Sequence, residues 1–199
     1  TQAAAPTSKP LYSLTINAGE GGTVSGAGTF EHGTQKAISA TASAGYRFSA
    51  WTGDEVSDSS LSDTTVLMDR NRTITATFAQ NSYALVVSGG SGGSASGGGN
   101  FSHGELAPIE AIPLEGYFFT AWSGRGITNS SAPVTTVLMD QNQSVAASFS
   151  QIPYSLLVSS GDGGSASGGG VFSHGELAPI KAVPVEGYVF TGWSGLGVA

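Results

Sequence analysis

Few side chains in this chain could do chemistry, and their spacing is regular. The three histidines are His32, His103 and His174, each followed by Gly, and successive ones are 71 residues apart. A metal site normally needs three or four converging ligands, so one His per 71 residues is expected to shape a turn and bond backbone. Asp54, Glu55, Asp58 and Asp63 form an acidic cluster, but the second module has no counterpart to it and the spacing is not that of a calcium-binding EF-hand. Asp69 and Asp140, in MDRN and MDQN, are read as hairpin-turn residues. Trp51, Trp122 and Trp193 share the same spacing and could stack on sugar rings. Each also closes an aromatic run beside Tyr and Phe, where packing in a core is the preferred expectation. No Ser stands in a plausible triad, so no catalytic residue is assigned. No cofactor or metal is assigned either. Lys36 would suit an isopeptide crosslink, yet the aligned residues are Ala107 and Ala178.

The elements that must position these residues are themselves repeated. Phe101–Gly124 and Phe172–Gly195 differ only at Glu110/Lys181, Ile112/Val183, Leu114/Val185, Phe118/Val189 and Ala121/Gly192. A more distant copy runs from Phe30 to Gly53. Self-similarity at a fixed long period decides the architecture before any local feature does. It predicts an N-terminal tail at 1–11, then modules at 12–82, 83–153 and 154–199. Modules of this size have thin cores and modest stability.

Composition narrows the classes. Charged residues make up 11% of the chain, and seven Lys plus Arg against fourteen Asp plus Glu give a net charge of −7. That excludes the basic stripe nucleic acid needs and disfavours anionic membrane. No apolar run approaches the roughly 18 residues of a membrane span, so no membrane insertion is expected. With no Cys there are no disulfides to report the redox compartment. The opening TQAAAPTSKP has no apolar core; it is compatible with what remains after a leader is removed.

Within a module the pattern is that of strands. Tyr12, Leu14 and Ile16 alternate with Ser13, Thr15 and Asn17, the period of a half-buried strand. Gly-rich segments follow as hairpins; no Lys-Ser/Thr or helix follows them, so they are not phosphate loops. The next strand carries Ile38, Ala40 and Ala42 on one face. Its later copies hold Pro108, Pro113, Pro179 and Pro184, which predicts an edge or interrupted strand. A closing hairpin places Ile74, Ala76 and Phe78 on one face. The fold class expected is all-β, three tandem small β-rich modules of about five or six strands each, the third incomplete. Connectors of four residues (AQNS, SQIP) predict modules held close, as a rod or superhelix rather than as independent beads.

The order Y-x-L-x-(I/V), Gly-rich hairpin, F-x-H-G, G-Y-x-F-x-x-W-(S/T)-G, T-V-L-M-D and a terminal aromatic resembles the divergent form of the internalin B-type repeat over nearly all of 12–199. The resemblance implies a compact β-grasp-like module, a secreted or cell-surface bacterial protein and no catalytic residues. Pro in place of Ala37 and Ala42 in the later modules departs from the first. The expectation is a non-enzymatic extracellular repeat protein with a structural or adhesive role, whose partners are proteins or copies of itself. The alternative is a carbohydrate-binding accessory region of a larger secreted enzyme, with polysaccharide as partner. Ala199 aligns with Thr128 and Ser57, so the third module stops before its final hairpin. Continuation of the parent chain, a fragment boundary, or strands supplied by another chain in a head-to-tail fibre would each explain that.

Overall fold

A computed structural model describes residues 8–195. All the named elements are strands, and the first two repeats are built alike. Repeat 1 contains β1 (Leu11–Ala18), β2 (Gly22–Ser25), β3 (Gly28–Glu31), β4 (Thr34–Ala42), β5 (Tyr46–Gly53), β6 (Asp63–Met68) and β7 (Arg72–Gln80). Repeat 2 contains their counterparts, β8 (Ser82–Gly89), β9 (Gly93–Ser96), β10 (Gly99–Ser102), β11 (Glu105–Pro113), β12 (Tyr117–Ser123), β13 (Val134–Met139) and β14 (Gln143–Gln151). Repeat 3 shows β15 (Pro153–Leu156), β16 (Gly164–Ser167), β17 (Gly170–Ser173) and β18 (Lys181–Pro184). Each complete repeat thus has more strands than the five or six expected. The Gly-rich hairpin contributes two short strands, β2 and β3, that join different sheets.

Two small sheets make each complete repeat. One has the order β3-β1-β7-β5 and the other β2-β4-β6; repeat 2 gives β10-β8-β14-β12 and β13-β11-β9. At the centre of the first sheet β1 runs parallel to β7, from Leu14 opposite Arg72 to Ala18 opposite Ala76. The final strand of the repeat therefore inserts beside the first, so the module closes only when its last hairpin is in place. β6 and β7 belong to different sheets, and the turn between them spans the two layers.

The core lies between the sheets, and alternation selects it. Leu14, Ile38, Ala40, Val66, Met68, Ile74 and Ala76 are buried with Trp51. Trp51 would be misplaced by strict alternation from Tyr46 and Phe48. A register shift in the β5–β7 pairing between Phe48 and Ala50 turns it inward, as a bulge does. The same shift occurs between Phe119 and Ala121 and buries Trp122.

In repeat 2 the proline-bearing strand is not at an edge, whereas in repeat 3 β18 pairs on one side only among the described residues, with β16. β11 is the middle strand of its sheet. Ala111 N donates to Pro133 O, so odd-numbered residues of β11 point their amides toward β13 and even-numbered ones toward β9. β9 pairs only with Glu110–Pro113, so the ring nitrogen of Pro108 faces a side with no partner. Pro113 faces the β13 side beyond the point where β13 begins. Neither proline removes a ladder bond, which is why a central strand tolerates both.

The chain divides into two compact units that do not follow the repeats. One takes residues through Leu85 with Gly99–Ala107 and Leu138–Gln143; the other takes Val86–Gly98, Pro108–Val137 and residues from Ser144. The connection of repeats 1 and 2 lies inside the first unit, and that of repeats 2 and 3 inside the second. The predicted tail at 1–11 is described only from Ser8, and β1 begins at Leu11; residues 1–7 and 196–199 lie outside the described residues.

Candidate functional site: the joints between repeats

The candidate chemical residues separate once they are placed. Trp51 and Trp122 are 4% and 3% exposed. Their indole N–H groups donate to Leu61 O at 2.9 Å and Ala132 O at 3.1 Å. Each ring packs against Phe48 or Phe119 at 5.7 and 5.8 Å between centroids. A ring buried and bonded in this way offers no face to a sugar. Trp193 packs on Phe190 at 5.4 Å and is half-buried.

The acidic cluster is dispersed. Asp54 accepts a bond from Thr73 N at 2.7 Å and sits 3.6 Å from Arg70. That backbone N–H, helped by Arg70 and Arg72, holds its carboxyl below the usual carboxylate range. Asp58 accepts from the Ser60 hydroxyl and amide, which lower its pKa as well. Asn129 does the same for Ser131 N in repeat 2, so this loop needs an Asx turn and not a charge. Among the described residues no three His, Asp or Glu side chains converge as metal ligands. Lys36 lies over the Phe30 ring, its ammonium 5.0 Å from the centroid.

Asp69 and Asp140 do shape their turns, through partners the sequence did not single out. Arg72 is 5% exposed; it donates to Leu67 O, Glu55 O and Asp69 Oδ1. Gln143 replaces it in repeat 2 and donates to Asp140 Oδ1 at 3.1 Å. The bond to the turn Asp is made by a charged side chain in repeat 1 and by a neutral one in repeat 2.

The histidines come together with a second motif. Gly45 begins the G-Y turn before β5 with φ of 81°. A methyl group at Gly45 would overlap His103 Cδ2, so the imidazole of repeat 2 occupies the space that only glycine leaves free. Tyr83, the first aromatic of repeat 2, packs edge-on with that imidazole, at 6.0 Å between centroids. Asn81 bridges the two turns: its N–H donates to Gly45 O at 2.7 Å, and its carbonyl accepts from His103 N at 2.9 Å. Gln80 Nε2 adds a bond to His103 O at 3.1 Å. His103 Nδ1 is buried with no partner. The side chain thus acts through shape; only its backbone makes the turn bond expected of it.

The second joint repeats the plan. Ile152 N donates to Gly116 O at 2.7 Å. His174 fills the space at Gly116, where a methyl group would overlap its Cβ and Cγ. Tyr154 flanks His174 at 6.0 Å. Glu115 stands where repeat 1 has Ala44 and approaches His174 Nε2 to 3.7 Å, an exposed pair of small energetic value. His32 keeps its own Tyr12 at 5.9 Å but is exposed. Pro10 occupies the position of Asn81 and has no N–H to donate across such a joint.

The family described as divergent InlB B-repeat domain matches residues 12–82, 83–153 and 154–199. The chain belongs to that family. The boundaries of the InlB B-repeat matches fall within the connectors that Asn81 and Ile152 pin, at the His103–Gly45 and His174–Gly116 contacts. No curated protein and no solved structure matches the chain. InlB B-repeat domains are non-catalytic in general and are typically found in extracellular bacterial proteins. Sequence reasoning separated F-x-H-G from G-Y-x-F; their shared 71-residue period was the one signal that could have linked them.

Proposed function

We propose that this chain is a non-catalytic extracellular spacer, in which InlB B-repeats are fixed to one another so that they hold or present other protein parts at or beyond a bacterial surface. The joint supports this reading. A connector that merely tethered domains would leave its backbone to water. Here Asn81 ties Gly45 to His103 through two backbone bonds, and Ile152 makes the matching bond to Gly116. Gly, His and Tyr then interlock across each seam. Trp51 and Trp122 are spent on the cores of the two complete repeats, and Asp54, Asp58 and Asp69 on turns.

The test is the distance distribution between spin labels on exposed strand residues of repeats 1 and 2, such as Thr29 and Asn100. A spacer with set joints gives a narrow distribution that His103→Gly broadens. A distribution already broad in the parent chain would refute the proposal.

A further inference from the structure

The outer face of the β2-β4-β6 sheet changes character from one repeat to the next. In repeat 1, Ala37, Ser39 and Thr41 of β4 point away from the core, alternating with buried Ile38 and Ala40. Their cross-strand neighbours are polar: Ser25 and Asp63 flank Ser39, and Thr23 stands opposite Thr41. In repeat 2 the same positions turn apolar. Pro108 replaces Ala37, Ile112 replaces Thr41 and Val134 replaces Asp63. Ile112 and Val134 are 52% and 63% exposed, while Ile109 and Ala111 of the same β11 are buried beneath. Ser94 and Ser96 lie opposite Ile112 and Glu110, so no tall side chain on β9 shields the patch. Exchanging hydroxyls for exposed Pro, Ile and Val leaves apolar area in water, which is what a covered surface shows when its cover is removed.

Repeat 3 carries the same face with its charge reversed. Pro179 and Val183 are the counterparts of Pro108 and Ile112, and Lys181 is the counterpart of Glu110. Lys181 and Val183 stand opposite Ser167 and Ser165 of β16, as Glu110 and Ile112 stand opposite Ser96 and Ser94 of β9. Both side chains leave β18 on the side away from the core, the side that the complete sheet of repeat 2 defines. Of the five differences between Phe101–Gly124 and Phe172–Gly195, Glu110/Lys181 alone alters charge. Among the described residues neither Glu110 nor Lys181 has an ion-pair partner. A charge set among apolar neighbours selects what covers it: a like charge is repelled, and an opposite one is neutralised.

We infer that this outer face is an interface between copies of the chain, in which the repeat 2 face of one copy covers the repeat 3 face of another and Glu110 pairs with Lys181 across the contact. The occupant is a second copy because the two faces are complementary in charge and alike in their apolar residues. A face laid on its own kind would set Glu110 on Glu110 or Lys181 on Lys181, so the contact joins unlike repeats. The apolar residues supply the driving force and the charge pair fixes which repeat meets which. Repeat 1, with Ser39 and Thr41 on this face, takes no part. The inference does not rest on the spacer proposal, which concerns the joints within one chain.

The 199-residue chain is followed by sedimentation equilibrium over a concentration series. The expected result is self-association that weakens as salt is raised. Glu110→Lys and Lys181→Glu each set like charges against one another and should weaken it about tenfold or more. An equimolar mixture of the two single variants should regain association that neither shows alone, because their reversals are complementary. Ile112→Thr, which installs the repeat 1 residue, should weaken association while leaving the circular dichroism melt of the chain in place. A parent chain that stays monomeric up to about 1 mM overturns the inference. So does association that withstands either charge reversal or Ile112→Thr, and so does a mixture that associates no better than its components. None of these outcomes alters the spin-label distances that test the spacer reading at the repeat 1–repeat 2 joint.

Discussion

His103 sits on Gly45 so closely that a methyl group on Gly45 would fall inside the imidazole ring's own space. Gly45→Ala therefore imposes two penalties, backbone strain at φ 81° and eviction of the imidazole. Gly33 isolates the first: its φ is 85°, and a methyl group there would meet nothing within 4 Å. Gly33→Ala should cost about 1–2 kcal/mol, the left-handed penalty alone. Gly45→Ala should cost about 1–3 kcal/mol more, from overpacking. Paired with His103→Ala, that excess should largely vanish, which denaturant melts of the four variants will show.

Much of the fold was legible because small modules leave few choices. The alternation of Leu14 with Thr15, and of Ile74 and Ala76 with Thr75, put the right faces inside. Three things were not legible. The β5 bulge that turns Trp51 inward is a backbone shift with no residue of its own to announce it. Pro108 and Pro113 argue for an edge strand until it is known how short β9 is and where β13 starts. The joint is contact between motifs far apart in sequence, His103 with Gly45, so neither motif alone reveals it. Histidine read one residue at a time is a turn; read against the preceding repeat it is a plug.

The two complete repeats carry the same Trp test. Trp122 has a buried ring and one N–H bond to Ala132 O. Trp122→Phe keeps most of the ring volume and loses the bond, and should cost about 1–2 kcal/mol. Trp122→Ala should cost about 3–5 kcal/mol, enough to unfold a module with a thin core. Circular dichroism melts separate the two. A Trp122→Ala chain that melted like its parent would show that the indole is not a core residue.

Arg72 and Gln143 set up an exchange between repeats. Arg72 gives three bonds from an almost fully buried position, so Arg72→Ala strands Leu67 O, Glu55 O and the Asp69 carboxylate and should cost about 2–4 kcal/mol. Gln143 already makes the corresponding bond to Asp140. Arg72→Gln should accordingly recover at least half of that loss. Equal destabilisation by Ala and Gln would mean that the charge, and not the hydrogen-bond geometry, holds the turn.

Acid should weaken repeat 1 through Asp54. Thr73 N–H donates to its carboxylate, and Arg70 and Arg72 stand nearby, so the folded pKa lies below the ordinary 3.8. Asp58 is lowered by Ser60 in the same direction. A carboxyl with a depressed folded pKa contributes stability that is complete above its unfolded value. That stability is lost as pH falls through the folded one. The melting temperature should therefore decline below about pH 4, with no matching loss on the alkaline side from these groups. Asp54→Asn removes the charge while keeping an oxygen for Thr73, so it should lower stability near neutral pH and flatten the acid decline. Asp58→Asn should do the same to a lesser degree, because Asn129 already makes that turn without charge in repeat 2. An acid decline as steep in the Asp54→Asn, Asp58→Asn double variant as in the parent would place the titrating groups elsewhere.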